Sequence, residues 1–304
     1  MSALAFTLLA LALTGPVPAV LARAAWPMRA PRAAIVLWQA IAMAAVLSAF
    51  SAGLAIASPL LLRGGAWPGA GGASPADWTL WLVSLAVFGV TLVIGARLIT
   101  AVLAVAIGTR RRRARHRMVV DLLGECRHGL GDVRVLAVDE PLAYCLPGIR
   151  GMVVLSEGAL ATLSPAEVSA ILRHERTHLR ARHDLVLEAF IAVHTAFPRL
   201  VRSGSALHAV RLLVELLADD AAVRAAGPGP LARALVACAA GPTPAGALAA
   251  GGVSTVIRVQ RLSGPPNSRL LSLASYLAAA AVLVVPTVAV AIPWLAGFRQ
   301  LFWS

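Results

Sequence analysis

The chain has 304 residues, 59% of them hydrophobic and only 13% charged, with a formal net charge of +13. That balance, with a mean hydropathy of +0.80, excludes a disordered chain and an ordinary soluble globular protein and places the sequence among membrane proteins. The positive charge is all arginine, and no aromatic interleaving or zinc-finger spacing accompanies it. It is therefore read as membrane-flanking anchorage that also favours anionic lipid, with no direct nucleic-acid partner.

The first apolar stretch, about 3–22, is interrupted by Gly15, Pro16 and Pro18. Ala22-Arg23-Ala24 resembles a signal-peptidase site, but no positive charge precedes the stretch, so a retained first membrane helix is expected. Residues 33–62 and 78–108 form the second and third predicted spans, and 270–297 the fourth, with Pro286 and Pro293 inside it. Each is long enough for a hydrocarbon core that needs about 20 apolar residues. Arg23, Arg29 and Arg32 flank the first loop, and Arg110 to Arg113, Arg115 and Arg117 follow the third span. The loop from Arg63 to Asp77 is nearly neutral. The positive-inside rule then puts the first loop and 110–269 in the cytoplasm, and the N-terminus and the short tail 298–304 outside.

The expected organisation is a mainly α membrane protein. Residues 1–109 form a membrane domain with three helices, 110–269 a cytoplasmic α+β domain inserted before the fourth helix, and 298–304 an extracytoplasmic tail. Within 110–269, Met118 to Cys126 reads as a helix. Val133, Val135 and Ala137 alternate like a strand, Tyr144 to Leu146 is a short extended stretch, and Met152 to Leu155 is another strand. Ser164, Pro165 and Glu167 give a helix start with a capping box, and Leu163 with Val168 a hydrophobic staple. Helices are also expected over Leu185 to Thr195 and about 206–226. Residues 227–252 read as a Gly- and Pro-rich loop with a short helix at Leu231 to Ala239, and Arg258 to Arg261 as a last amphipathic turn. Cys126, Cys145 and Cys238 match no zinc-ribbon or redox spacing and are read as thiols in a reducing compartment. Cys145 is expected to pack rather than to act as a nucleophile.

The helix that starts at Ser164 carries His174-Glu175-Arg176-Thr177-His178. Histidines four residues apart share one helix face, so both can ligate one zinc ion, with Glu175 placed as general base. A catalytic zinc wants a third protein ligand. Glu215 is the candidate, a carboxylate inside an almost wholly apolar helix. Asp219, one turn on, can orient a liganding histidine. The alternative for this pair is an ion pair with Arg211 or Arg224. His183 and Asp184 are rival third ligands by their distance beyond His178. Arg211 and His208, one and two turns before Glu215, are candidate oxyanion stabilisers.

Tyr144-Cys145-Leu146-Pro147-Gly148, Gly151 to Leu160, His174 to His178, Arg182-His183-Asp184 and Glu215 to Asp219 follow one another in an order that resembles the BlaR/MecR antirepressor-type membrane zinc peptidases. These are gluzincins related to the HtpX-like and CAAX-processing proteases. The resemblance implies a gluzincin-type fold for 110–269 and one zinc per chain. It also implies an extended protein substrate laid along an edge strand at Ala143, Tyr144, Cys145 and Leu146. Regulated proteolysis is implied, with a transcriptional repressor of the winged-helix kind as a candidate partner. Only about seven residues follow the last span, so no extracellular sensor domain is expected. A quality-control protease and a non-proteolytic zinc-stabilised anchor are the alternatives, and an intact Glu175 speaks against the anchor. The sequence assigns no oligomeric state.

Overall fold

The computed structural model describes residues 2–62, 74–126, 133–199, 201, 203–239 and 252–302. The chain opens with α1 (Ser2–Thr14) and α2 (Pro16–Arg23), separated where Gly15 and Pro16 interrupt the ladder, since proline has no N–H to donate. A 3-10 turn at Trp26–Arg29 leads to α3 (Pro31–Leu62), and α4 follows at Pro75–Leu123. Ser74 and Asp77 form a capping box at its start. The close approach of α3 and α4 depends on Gly53, where a Cβ would overlap the Thr91 side chain.

Among the described residues, four helices are long and apolar enough to cross a membrane, at Ala3–Arg23, Pro31–Ser58, Pro75–Leu123 and Arg269–Val288. They coincide with the four stretches read from hydropathy. The third is longer than expected. At 1.5 Å per residue α4 extends about 70 Å, over twice the hydrocarbon thickness of about 30 Å. The arginines from Arg110 to Arg117 therefore sit on a continuation of the spanning helix. The helix expected over Met118 to Cys126 is the last part of α4, and Gly124–Cys126 is instead strand β1. A glycine at 124 and the pairing partners available downstream end the helix there. The loop read from Arg63 to Asp77 falls mostly outside the described residues, as does 240–251.

The strands β2 (Val133–Leu136), β3 (Ala143–Leu146) and β4 (Met152–Ser156) join β1 in a sheet of order β1-β2-β4-β3. β2 runs parallel to β4, and β3 runs antiparallel to it with Ala143 opposite Leu155. The stretch expected to be an edge strand thus lies at the sheet edge. Ser156 closes β4, accepting from Ala159 N–H at the start of α5 (Glu157–Thr162) and donating to the Glu140 carbonyl at 2.6 Å. Gly158 is required beside it, because a Cβ there would collide with the Asp139 carbonyl.

The remaining helices are α6 (Pro165–Ala181), α7 (His183–Ala196), α8 (Ser203–Ala226), α9 (Pro228–Ala239), α10 (Gly252–Leu262) and α11 (Arg269–Phe302). α9 and α10 are each longer than the short helix and turn expected. α11 continues through the residues read as a tail as far as Phe302.

Two apolar cores meet along α8. One joins Trp38 and Ile41 of α3 to Leu187 and Phe190 of α7 and to Val210 and Val214 of α8. The other joins Val133 and Val153 of the sheet to Ile171 and Leu172 of α6, Ala222 of α8 and Leu231 of α9. Glu215 lies between the α8 residues of the two cores. The segment following the arginine cluster therefore shares a core with the spanning helices.

Candidate metal centre

The start of α6 is built as its sequence indicates. Ser164 N–H donates to the Glu167 carboxylate at 2.9 Å, Arg233 of α9 donates to the same group, and Leu163 and Val168 pack in the second core. Ile171 and Leu172 are buried beside them, so the helix is fixed along its length and its histidine face is set.

His174 and His178 are 3% and 1% exposed, with their Nε2 atoms 3.1 Å apart. Glu215, on α8, brings Oε2 to 3.4 Å from His174 Nε2 and Oε1 to 3.7 Å from His178 Nε2. One ligand atom from each of the three lies within 4.8 Å of the others. Ligand atoms about 2.0–2.1 Å from a tetrahedral zinc lie about 3.3–3.4 Å from one another, so the donor set fits that ion.

The surrounding charges support the same fit. Arg258 of α10, only 4% exposed, forks onto Asp219 at 2.8 and 2.7 Å and reaches Glu215 Oε2 at 3.0 Å. Asp219 Oδ1 lies 3.0 Å from His174 Nδ1. That ring N–H points off the line to the oxygen, so the contact is Coulombic more than a directed hydrogen bond. Glu175 is buried, with Oε2 free of any hydrogen-bond partner among the described residues. Three carboxylates (Glu175, Glu215 and Asp219) face one guanidinium, an excess of acidic groups that draws protons or a cation into the cluster.

Proton affinities follow from this imbalance. Burial pulls the His174 imidazolium down, but Asp219 and Glu215 outweigh it and raise its pKa to about 9. Burial lifts Glu175 to about 7. Burial would lift Glu215 too, but His178, His174 and Arg258 hold it well below the usual carboxylate range. Asp219 is likewise pushed up by burial and brought below its ordinary value by Arg258 and His174. Burial lowers His178 to about 3 and His183 to about 4. Groups that take up protons here are those a bound cation would relieve of them.

The rival ligands lie elsewhere. His183 meets His178 on the ring edge turned away from the ligand atoms, Nδ1 to Nδ1 at 3.1 Å. Asp184 pairs with Arg113 of α4 at 3.2 Å and with Arg182 at 3.6 Å. His208 and Arg211 are exposed on α8 and do not enter the cluster. At 1.5 Å per residue His208 is about 10 Å along the helix from Glu215. The cation that meets the carboxylates is Arg258, not Arg211 or Arg224. Sequence reasoning missed it because no local rule links residues some forty positions apart. The available signal was an arginine sharing the Thr255–Leu262 face of an amphipathic helix.

On the edge strand, Tyr144 is buried and its hydroxyl lies 2.9 Å from His116 Nε2 of α4. Burial pushes its pKa up to about 12. Cys145 lies beside Glu175. Burial first, and then the Glu175 charge, pushes its thiol well above the ordinary value, which keeps it protonated and unreactive.

The three ligand atoms converge where a metal ion could replace the proton on His174, and the helices that gather them pack on membrane-spanning ones. The site is thus a candidate metal centre in a membrane-associated protein. Residues 72–197 match the family model described as BlaR1 peptidase M56, which supports a BlaR/MecR-type assignment of the chain and implies a metal cofactor. The matched stretch includes His174, Glu175 and His178 and ends before Glu215, Asp219 and Arg258. No curated protein and no solved structure matches the chain.

Proposed function

We propose that this chain is a zinc-dependent endopeptidase that holds one zinc ion through His174, His178 and Glu215. The observation that carries the reading is the convergence of those three ligand atoms beside the bare, buried carboxylate oxygen of Glu175. When bound, the ion would supply a Lewis acid that polarises a peptide carbonyl and makes water easier to deprotonate. Glu175 takes the proton and returns it to the leaving amine. Asp219, held in place by Arg258, orients His174. The edge strand at Ala143 to Leu146 offers main-chain hydrogen bonds to an extended segment of substrate.

In this reading 110–269 is the peptidase part, inserted between the spans at 78–108 and 270–297. The arginines from Arg110 to Arg117 support a cytoplasmic side for it, with both termini outside. The BlaR/MecR-type assignment favours a transcriptional repressor as the substrate.

Metal analysis and casein cleavage by the detergent-purified protein test this reading. One zinc per chain is expected, with cleavage that Glu175→Gln lowers by about 10²–10⁴-fold while the metal stays. Cleavage by protein stripped of metal would sink it. Zinc without cleavage of any protein offered would favour the anchor reading instead.

A further inference from the structure

One contact at the centre has no part in the chemistry above. His178 and His183 are 1% and 2% exposed, and their rings meet nearly perpendicular, at 87°, with Nδ1 atoms 3.1 Å apart. In an unbroken helix a residue five positions on lies about 140° round the axis, and the two rings would diverge. They meet because Arg182 adopts φ 51° and ψ 44°, ending α6 and turning the chain into α7 one residue before His183. Among the described residues Arg182 is the one non-glycine with positive φ. A residue with a Cβ enters that region at a cost, so the surrounding packing holds the turn there.

A hydrogen bond between two Nδ1 atoms needs one proton. His178 Nε2 faces His174 Nε2 and Glu215. To hold a cation it keeps its lone pair on Nε2 and carries its proton on Nδ1. The neighbour at that proton is His183 Nδ1, which must then be bare. Its own proton is left on Nε2, a buried atom without a hydrogen-bond partner among the described residues.

We infer that His183 is a positioning residue whose Nδ1 accepts the Nδ1–H of His178 and so fixes the tautomer and ring plane of that ligand. Asp219 backs the other ligand, His174, through a charged contact, whereas His183 offers His178 a neutral acceptor, which is the weaker kind. The inference rests on the metallopeptidase reading for its purpose, though not for its geometry.

Three substitutions in the full chain separate an acceptor role from a packing role. Asparagine places its side-chain oxygen where Nδ1 sits, glutamine reaches only the Nε2 position, and leucine has no acceptor. In chelator competition for zinc, His183→Asn is expected within about threefold of wild type, and His183→Gln and His183→Leu about 10–100-fold weaker. In metal-free protein labelled with 15N-histidine, the His178 proton is expected on Nδ1 in wild type and His183→Asn, and distributed between both nitrogens in the other two. Equal affinity in all four proteins would overturn the inference. So would equal loss in all three variants, asparagine included, because packing alone would then explain it. Wild-type protein that binds no zinc would count against the metallopeptidase reading. The spectra of the metal-free proteins would still decide the role of His183.

Discussion

The two histidines of the centre are supported in opposite ways. His174 is backed by an ionic lattice from distant chain segments, with Asp219 on α8 clamped by Arg258 on α10. His178 is backed by a neutral imidazole five residues away, brought round by one left-handed residue. The first support is long-range and charged, and removing one member leaves the other buried and uncompensated. The second is local and uncharged, and its loss leaves only an unfilled hydrogen bond. The difference teaches that similar ligands on one helix can depend on the fold to very different degrees.

The sharpest way to break this picture is at the third ligand. Glu215→Ala is expected to lose stoichiometric zinc, a larger effect than the roughly 10–100-fold typical of groups behind the ligands. Full occupancy in that variant, measured by metal analysis, would remove α8 from the centre. Glu175→Gln is expected to retain zinc and lower turnover by about 10²–10⁴-fold, since only the proton acceptor is lost. Wild-type turnover would show that Glu175 is a bystander.

The ionic side is tested by Arg258→Met. Removing one partner of a buried ion pair typically costs about 3–5 kcal/mol. That loss should appear in denaturant unfolding of the metal-free protein and shrink when zinc is added, because the cation then offsets Asp219 and Glu215. An equal loss with and without zinc would make Arg258 a scaffold residue with no link to the metal. Asp219→Asn should weaken zinc binding by about 10–100-fold.

Acidity sharpens the contrast between the two histidines. His174 has its pKa raised to about 9, so below that pH it holds a proton that zinc must displace. One proton released per ion makes affinity climb about tenfold per pH unit up to the region of pH 9. In the metal-free protein the sign is reversed. The raised pKa stabilises the fold fully below the ordinary histidine value and the benefit is lost as pH rises through about 9. His178, lowered to about 3, adds no slope to zinc affinity near neutrality, and its stability contribution is lost only as pH falls below the ordinary histidine value. A pH-independent zinc affinity between pH 7 and 9 would refute the charged support of His174.

The smallest effect belongs to Asp220, which lies about 100° round α8 from Asp219. It bonds Arg261 at 2.8 Å and Asn267 at 2.7 Å, away from the cluster. Asp220→Asn should leave zinc affinity unchanged, with any loss confined to the stability supplied by its partly buried pair with Arg261. A loss equal to that of Asp219→Asn would show that the carboxylates act on the fold rather than on His174.

Much of this protein was legible in its sequence, because the signals are local. The apolar runs mark the four spans by length alone. The capping residues Ser164 and Glu167 mark the start of α6, and the i, i+4 spacing puts His174 and His178 on one face whatever surrounds them. Glu215 stood out because an isolated carboxylate in an apolar helix needs a partner. Other features depended on how distant segments pack. Arg258 lies on a helix with no spacing relation to α8, and only the folded chain brings its guanidinium between Asp219 and Glu215. His183 was weighed as a rival ligand by its distance along the chain, and the left-handed turn at Arg182 brings it behind His178 instead. Arginine carries no preference for that conformation, so nothing local announced it. Periodicity and caps are properties of neighbours in sequence, whereas a buried charge balance and a strained turn are set by the whole fold.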